Sequence, residues 1–195
     1  MQRLTFLLVP GVIAIALFIG ISKFESISNL SDTEIESTSL DFDAYSEGIN
    51  TVIFDSEGKI SYTLQALKQV HYNDDTTEFE KPFIRLFQDG NSRWNIVANS
   101  GRILPDQTGG DSSRQTIELS GNVEAYSLDE FGNRTVMSTE KMIVDPHLET
   151  LETDLPVTFV TKYLQQSSIG MFADLKIDEI IFYADNRGSY AKPNN

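Results

Sequence analysis

Apolar and polar residues alternate along much of the chain after residue 49. In the segment IELSGNVEAY, residues 117–126, the odd-numbered positions carry Ile, Leu, Gly, Val and Ala, and the even-numbered positions carry polar residues or Tyr. A period of two is typical of a β-strand with one buried face. The segments KISYTLQA (59–66) and RWNIVANS (93–100) alternate in the same way, and no stretch of this part keeps a helical stripe over three turns. The pattern predicts an all-β domain.

Clusters of Asp, Asn, Gly, Pro and Ser separate the alternating runs. These residues favour turns because they adopt positive φ, fix φ or hydrogen-bond their own backbone. The predicted turns lie at 55–58, 72–75, 88–92, 105–110, 129–133, 145–147 and 185–188.

A loose internal repeat accompanies the turns. Runs that end in a small residue are followed by strands with Pro or Gly at the start or in the middle. The small residues are Ala66, Ala98, Thr139 and Ala173, and the Pro and Gly residues between them are Pro82, Gly121 and Pro156. One hairpin cannot bury its own apolar face, so the repeated units must share an interior. Gly121 then lies either where two layers approach closely or where something other than protein fills the space.

The beginning of the chain has a different pattern. Leu4–Ile21 carries no charge, and a helix of eighteen residues spans about 27 Å, close to the thickness of a hydrocarbon core. Arg3 precedes this run and acidic residues follow Lys23, which favours a cytoplasmic N-terminus. We expect an uncleaved anchor. A cleaved signal peptide, with small residues at 14–16 or 20–22, is the alternative.

The segment that follows is rich in Ser and acidic residues without a clear period, as in a tether. The predicted organisation is a cytoplasmic tip and transmembrane anchor at 1–24, an acidic Ser-rich tether at 25–48 and a β domain at 49–195.

Charge and composition exclude several functions. The net charge of −14, without a basic patch, argues against nucleic acid as a partner. The absence of Cys excludes disulfides and Cys zinc sites. His71 and His147 stand far apart, and no G-x-S-x-G, H-E-x-x-H or phosphate-binding glycine loop occurs, so we predict no catalytic residue, metal ligand or cofactor. The acidic clusters at 73–75 and 149–154 favour solvated turns over a calcium site.

The chain resembles the LptC family of lipopolysaccharide export proteins. The resemblance rests on an N-terminal anchor followed by FDSEGKISYTLQALKQVHY (54–72), FEKPFIRLF (79–87), RWNIVANSGRI (93–103), IELSGNVEAY (117–126), STEKMIVDPHLETLETDLPVTF (138–159) and GMFADLKID (170–178). It implies an open, slightly twisted antiparallel β-jellyroll, with two sheets in a V and an apolar groove for acyl chains. The implied place is the inner membrane, single-pass, with the β domain in the periplasm.

The resemblance also implies partners. The protein would receive lipopolysaccharide from the LptB/LptF/LptG transporter and pass it to LptA, without catalytic activity of its own. We include a second copy of the chain among the candidate partners. Since the domain is acidic, we expect acyl chains inside the groove and head groups outside it, facing solvent or divalent ions.

Candidate site residues follow from the resemblance and from the position of the strands. The predicted lipid contacts are Phe79, Ile49, Ile180 and Tyr190. Gly58 is expected near the face that meets LptF and LptG, and Ile177, Ile181, Phe182 and Tyr183 on a C-terminal edge that pairs with LptA. An open jellyroll has two unpaired edges, which recruit partner strands. The N-terminal edge, 49–54, is expected to pair with LptF.

Two other classes of protein are alternatives to this family. One is a secreted or anchored β-sandwich module that binds glycan or another lipid, which would need an exposed aromatic platform. The sole Trp, Trp94, alternates with Ile96 and is expected to point inward. The other is a periplasmic hydrolase, which the missing catalytic constellation disfavours.

Overall fold

The computed structural model describes residues 41–88, 90–104 and 116–191, and in these ranges it contains strands and turns but no helix. The strands are β1 (Phe42–Phe54), β2 (Ile60–Tyr72), β3 (Thr77–Glu80), β4 (Phe83–Gln88), β5 (Asn91–Val97), β6 (Ser100–Ile103), β7 (Ile117–Leu128), β8 (Arg134–Asp145), β9 (Thr150–Val160), β10 (Leu164–Asp174) and β11 (Glu179–Tyr190). All pair antiparallel in one sheet, which confirms the predicted all-β class.

The predicted anchor lies outside the described residues. Within those residues, the chain offers no helix with the length and apolarity to span a bilayer. The predicted turn at 105–110 also lies outside them. β1 begins at Phe42, before the predicted boundary at residue 49, and Phe42 already pairs with Tyr72. Most residues of β1 are exposed, so the strand carries little of the apolar alternation that marks the others.

The strands follow one another across the sheet in the order of the chain. β3 and β4 form one long strand with a single break, and so do β5 and β6. β2 pairs with β3 through 68–71 and with β4 through 62–65, and β7 pairs with β6 through 118–120 and with β5 through 124–126. The result is a meander in which short connections join neighbouring strands, apart from β6 and β7.

One line of irregularities crosses most of the long strands, and we call it the fold line. Six residues with positive φ lie on it: Gly48, Lys81, Gly121, Asn122, Gly170 and Asp185. At the fold line the pairing register shifts between Ser120 and Val123, and between Ile169 and Met171. A bulge bends its strand and increases its twist. Because the bulges are aligned, the whole sheet folds along them.

The fold line divides the sheet into two layers. Layer 1 contains 49–66, 83–88, 90–97, 123–139, 157–169 and 186–190. Layer 2 contains 42–47, 68–80, 100–103, 117–120, 141–153 and 171–184. The rings of Phe159 in layer 1 and Phe182 in layer 2 meet at 6.1 Å, so the inner faces of the layers pack together. The implied V is therefore made from one continuous sheet and not from two separate ones.

Buried hydroxyl groups satisfy backbone carbonyls at the fold line. Thr139 Oγ1 donates to Pro156 O at 2.9 Å, and Thr153 Oγ1 donates to Lys141 O at 2.6 Å. Ser168 Oγ lies 2.9 Å from the carbonyl oxygens of Gly170 and Ala184. A buried carbonyl left without a partner is costly, so these side chains allow the ladders to be interrupted inside the protein.

The fold line explains most of the predicted repeat. Ala66, Ala98 and Thr139 precede it on their strands, and Pro82 and Pro156 lie on it, where a missing N–H costs no ladder bond. Ala173 does not fit the repeat, because it pairs with Leu151 far from the line.

Two further expectations change once the fold line is known. Gly121 sits in the β7 bulge with φ +77°, and its carbonyl accepts the N–H of Asn99 at 2.9 Å. A side chain there would meet Asn99, so Gly121 marks a close approach and not an empty groove. The predicted turn at 185–188 is wrong, since these residues bend β11 at the line. Asp tolerates positive φ, and Asp185 adopts it inside a strand and not in a turn.

Candidate functional site

The interior between the layers is filled with apolar side chains along the middle of the sheet. Ile84, Ile96, Met137, Leu151 and Met171 are fully buried, at 0% exposure. Side chains packed this tightly leave no continuous channel for a ligand. The middle of the interior is therefore a protein core.

The interior opens toward its two edge strands. Within the described residues, β1 pairs only with β2 and β11 pairs only with β10. Ile49 and Ile53 of β1 are partly buried and pack against the core, and Ile180 and Phe182 of β11 do the same. Each edge thus presents unpaired backbone beside half-exposed apolar surface, an arrangement that suits the addition of a partner strand.

A cavity of about 240 Å³ lies between the layers near β11. Its apolar walls are Trp94 and Phe159 from layer 1, and Leu175 and Ile180 from layer 2. Polar residues at the cavity are Arg93, Ser127, Thr135, Asp174 and Asp178. The cavity therefore has an apolar interior with charged groups beside it, as a site for an amphiphile would.

Two contacts join the layers at the rim opposite the fold line. Arg93 Nη2 of β5 lies 2.7 Å and 2.6 Å from the two carboxylate oxygens of Asp178, in the turn between β10 and β11. Arg93 Nη1 also donates to the side chain of Gln88, and to Leu175 O at 3.4 Å. At the second contact the Tyr62 and His147 rings meet edge to face at 5.6 Å.

Burial perturbs two titratable groups near this rim. The pKa of Tyr62 is raised above its ordinary value, first by burial and then by the charge of Asp145. The pKa of Glu149 is also raised by burial, while the positive charges of Lys176 and Arg93 act against that rise. Tyr62 is buried where the layers come together, whereas Glu149 is only partly buried.

The outer face of layer 2 carries a charge ladder. Glu118 Oε2 lies 2.8 Å from Lys141 Nζ, and Glu118 Oε1 lies 2.6 Å from Arg102 Nη2. The hydrogen bond from Lys141, followed by the charge of Arg102, holds the pKa of Glu118 below its ordinary value. Arg102 and Lys141 therefore neutralise an acidic side chain on the strand between them.

The predicted lipid contacts occupy different environments. Phe79 is buried at 5% exposure, pairs with Gly101 and faces the interior. Ile49 and Ile180 face the interior at opposite edges, and Ile180 also lines the cavity. Tyr190 pairs with Leu164 at the end of β11 and is 68% exposed. The structure therefore does not bring the four side chains into one site.

The predicted partner residues are also spread over several surfaces. Gly58 lies in the β1–β2 turn with φ +79°, and no atom lies within 4 Å of an added Cβ. Ile177 is exposed in the β10–β11 turn, and Ile181 and Tyr183 lie half-exposed on the outer face of β11. Phe182 points to the interior. Of these residues, Ile181 and Tyr183 form a shared outer surface on the edge strand.

Of the residues around the cavity, sequence reasoning identifies Ile180 as a lipid contact and Trp94 as inward-facing, but it misses the others. Arg93 and Asp178 are 85 positions apart, so no local pattern links them. Leu175 lies within the family segment 170–178, but no pattern in that segment predicts that its side chain is buried, at 2% exposure. Trp94 is buried at 7% exposure, as expected, so it does not supply the exposed aromatic platform that a glycan-binding module would need.

The fold defines a two-layer β protein with an apolar interior and, in the part of the chain that the structure describes, a strand at each end that pairs on one side only. The family model described as "Lipopolysaccharide-assembly, LptC-related" matches residues 11–191. The chain therefore belongs to the LptC family, whose role is the transport of lipopolysaccharide, and the predicted resemblance is confirmed. No curated protein matches the chain.

Proposed function

We propose that the protein is a lipopolysaccharide-binding bridge that receives the lipid from the LptB/LptF/LptG transporter and passes it to LptA. The observation that carries the proposal is that, among the described residues, β1 and β11 each pair on one side only, at opposite ends of one folded sheet with an apolar interior. A partner strand added to each edge would extend the interior without a break. The N-terminal anchor and the periplasmic location of the β domain belong to this proposal.

In this arrangement β1 pairs with the periplasmic domain of LptF and β11 pairs with LptA. Gly58 lies in the turn at the end of β1, with open space around it. A large side chain at this position would meet a partner rather than the protein itself, which supports a role for the turn in the contact with LptF and LptG. Ile181 and Tyr183 supply the outer apolar surface of β11.

The lipid would enter an interior that is closed in its middle. Each buried CH₂ contributes about 0.8 kcal/mol. Acyl chains that pack between the layers can therefore offset the free energy that is needed to separate them. The layers are joined at the rim by Arg93–Asp178 and by Tyr62–His147, which are side-chain contacts and not backbone ladders. We propose that the layers spread along this rim as the acyl chains pass.

Photo-crosslinking in cells tests this function. Ile180 and Ile181 are neighbours on β11, but Ile180 faces the interior and Ile181 faces outward. A photo-reactive side chain at Ile180 or Phe79 should capture lipopolysaccharide, and one at Ile181 should capture at most about a tenth as much, because hydrophobic transfer favours the interior. Equal capture at 180 and 181 would show that the lipid is not confined between the layers.

A further inference from the structure

The Arg93–Asp178 ion pair is an unusual feature of the cavity beside β11. Both residues line the cavity, and the pair joins β5 of layer 1 to the β10–β11 turn of layer 2. The guanidinium contacts both carboxylate oxygens through one nitrogen, at 2.7 Å and 2.6 Å. The pair is thus a bridge between the layers at the place where the cavity meets solvent.

The bridge is open to exchange because both partners reach water. The Arg93 side chain is 31% exposed and the Asp178 side chain is 65% exposed. Exposed ion pairs contribute little to stability, since water competes for both charges. Asp174, the other carboxylate at the cavity, accepts the N–H of Lys176 at 3.0 Å and shapes the turn. Asp178 is therefore the carboxylate that an incoming anion would replace.

The position of Arg93 selects the chemistry of the ligand. An acyl chain that enters between Trp94, Phe159, Leu175 and Ile180 must leave its polar group at the mouth of the cavity, beside Arg93. A guanidinium binds phosphate or carboxylate oxygens through a planar set of donors. The protein carries a net charge of −14, so a preference for an anionic ligand requires a local cation of this kind.

We propose that Arg93 and Asp178 form an exchangeable bridge, in which the acidic group of an anionic amphiphile replaces the Asp178 carboxylate on Arg93 while its acyl chain occupies the cavity. The exchange releases the β10–β11 turn from β5 and so opens the rim next to β11. This proposal rests on the proposed function and adds to it the polar contact that the lipid makes at the β11 end.

The sole tryptophan provides a direct measurement. Trp94 lines the cavity and is buried, so its emission reports what fills that space. The full chain, held in a nanodisc of zwitterionic phosphatidylcholine, is titrated with decyl phosphate, with uncharged decyl maltoside and with inorganic phosphate. We expect decyl phosphate to bind about tenfold more tightly than decyl maltoside, as one charge-assisted hydrogen-bonded pair allows. Inorganic phosphate alone should leave the emission unchanged.

Three variants distinguish an exchangeable bridge from one that only holds the layers together. Arg93→Gln should abolish the preference for decyl phosphate and leave decyl maltoside binding unchanged. Asp178→Asn breaks the same bridge but removes the competing carboxylate, so it should tighten decyl phosphate binding by about threefold. The control, Arg102→Gln, removes one cation from an outer-face ion pair whose partner Glu118 stays paired with Lys141, and it should change nothing.

The possible results can be told apart. Equal weakening by Arg93→Gln and Asp178→Asn would mean that the bridge is structural, and equal weakening by Arg93→Gln and Arg102→Gln would mean a general charge effect. Either result overturns the proposal, as does a Trp94 response to inorganic phosphate alone. Binding of both amphiphiles without preference overturns this inference and leaves the proposed function standing. Binding of neither would contradict both.

Discussion

The middle of the folded sheet and its β11 edge show two uses of the same strand pattern. In the middle, Leu151 and its neighbours on both layers are fully buried. At the edge, Ile180 and Phe182 face the same interior but are only partly covered, and a cavity lies beside them. The difference arises because a middle strand has neighbours on both sides, whereas within the described residues β11 has one.

This difference indicates where the protein can exchange partners without unfolding. Removal of a side chain from the middle of the core leaves a void that the surrounding layers cannot close. At the edge, water can take the place of a neighbouring side chain, and so can a partner that supplies backbone hydrogen bonds and apolar surface together. We infer that stability resides in the middle of the sheet and binding at its ends.

The largest expected effect is the difference in the free energy of unfolding between a core variant and an edge variant. Leu151→Ala should lower the free energy of unfolding by about 2–5 kcal/mol, because it removes a fully buried side chain and leaves a cavity. Ile181→Ala, at a position that is 47% exposed, should cost about 0.5 kcal/mol. Urea unfolding followed by circular dichroism measures both. Similar decreases in the two variants would remove the distinction between core and edge.

The fold line provides a second, smaller effect. Gly170 has φ +79°, and an added Cβ would lie 2.6 Å from Tyr183 Cδ2. Gly170→Ala should cost about 2 kcal/mol, whereas Gly58→Ala, at the same φ but in open space, should cost about 1 kcal/mol. The double variant Gly170→Ala/Tyr183→Ala isolates the steric part in a double-mutant cycle. If the two single variants unfold at the same urea concentration, the clash with Tyr183 carries no cost.

The smallest effect on folding should accompany a clear effect on binding. Ile181→Lys/Tyr183→Lys places charges on the outer face of the edge strand and should weaken capture of LptA about tenfold, since the apolar cross-strand pairs with the added strand can no longer form. Ile143→Lys/Leu155→Lys makes the same change at exposed positions on β8 and β9, away from the edge. Pull-down with LptA compares them. Undiminished capture by the edge variant, with folding confirmed, would place the contact elsewhere.

The sequence by itself was enough to establish most of the strands and the class of protein. Alternation in 117–126, 59–66 and 93–100 predicted strands because a half-buried strand buries every second residue. Most of the turns at Asp, Asn and Gly clusters within the described residues were also correct, because their backbone preferences act locally. The order of the family segments identified the LptC family, which the match over residues 11–191 confirms.

The tertiary structure decided how the strands are bent and which side chains meet. Asp, Asn and Gly have the same local preference in a hairpin turn and in a bulge, so 185–188 could not be assigned to β11 without its pairing to β10. The resemblance implied an apolar groove for acyl chains, but in the middle of the sheet side chains from both layers fill the interior. Arg93 meets Asp178 only because the sheet folds along one line and brings positions 85 apart to the same rim. Contacts of this kind depend on the packing of the layers, and no pattern within one strand encodes them.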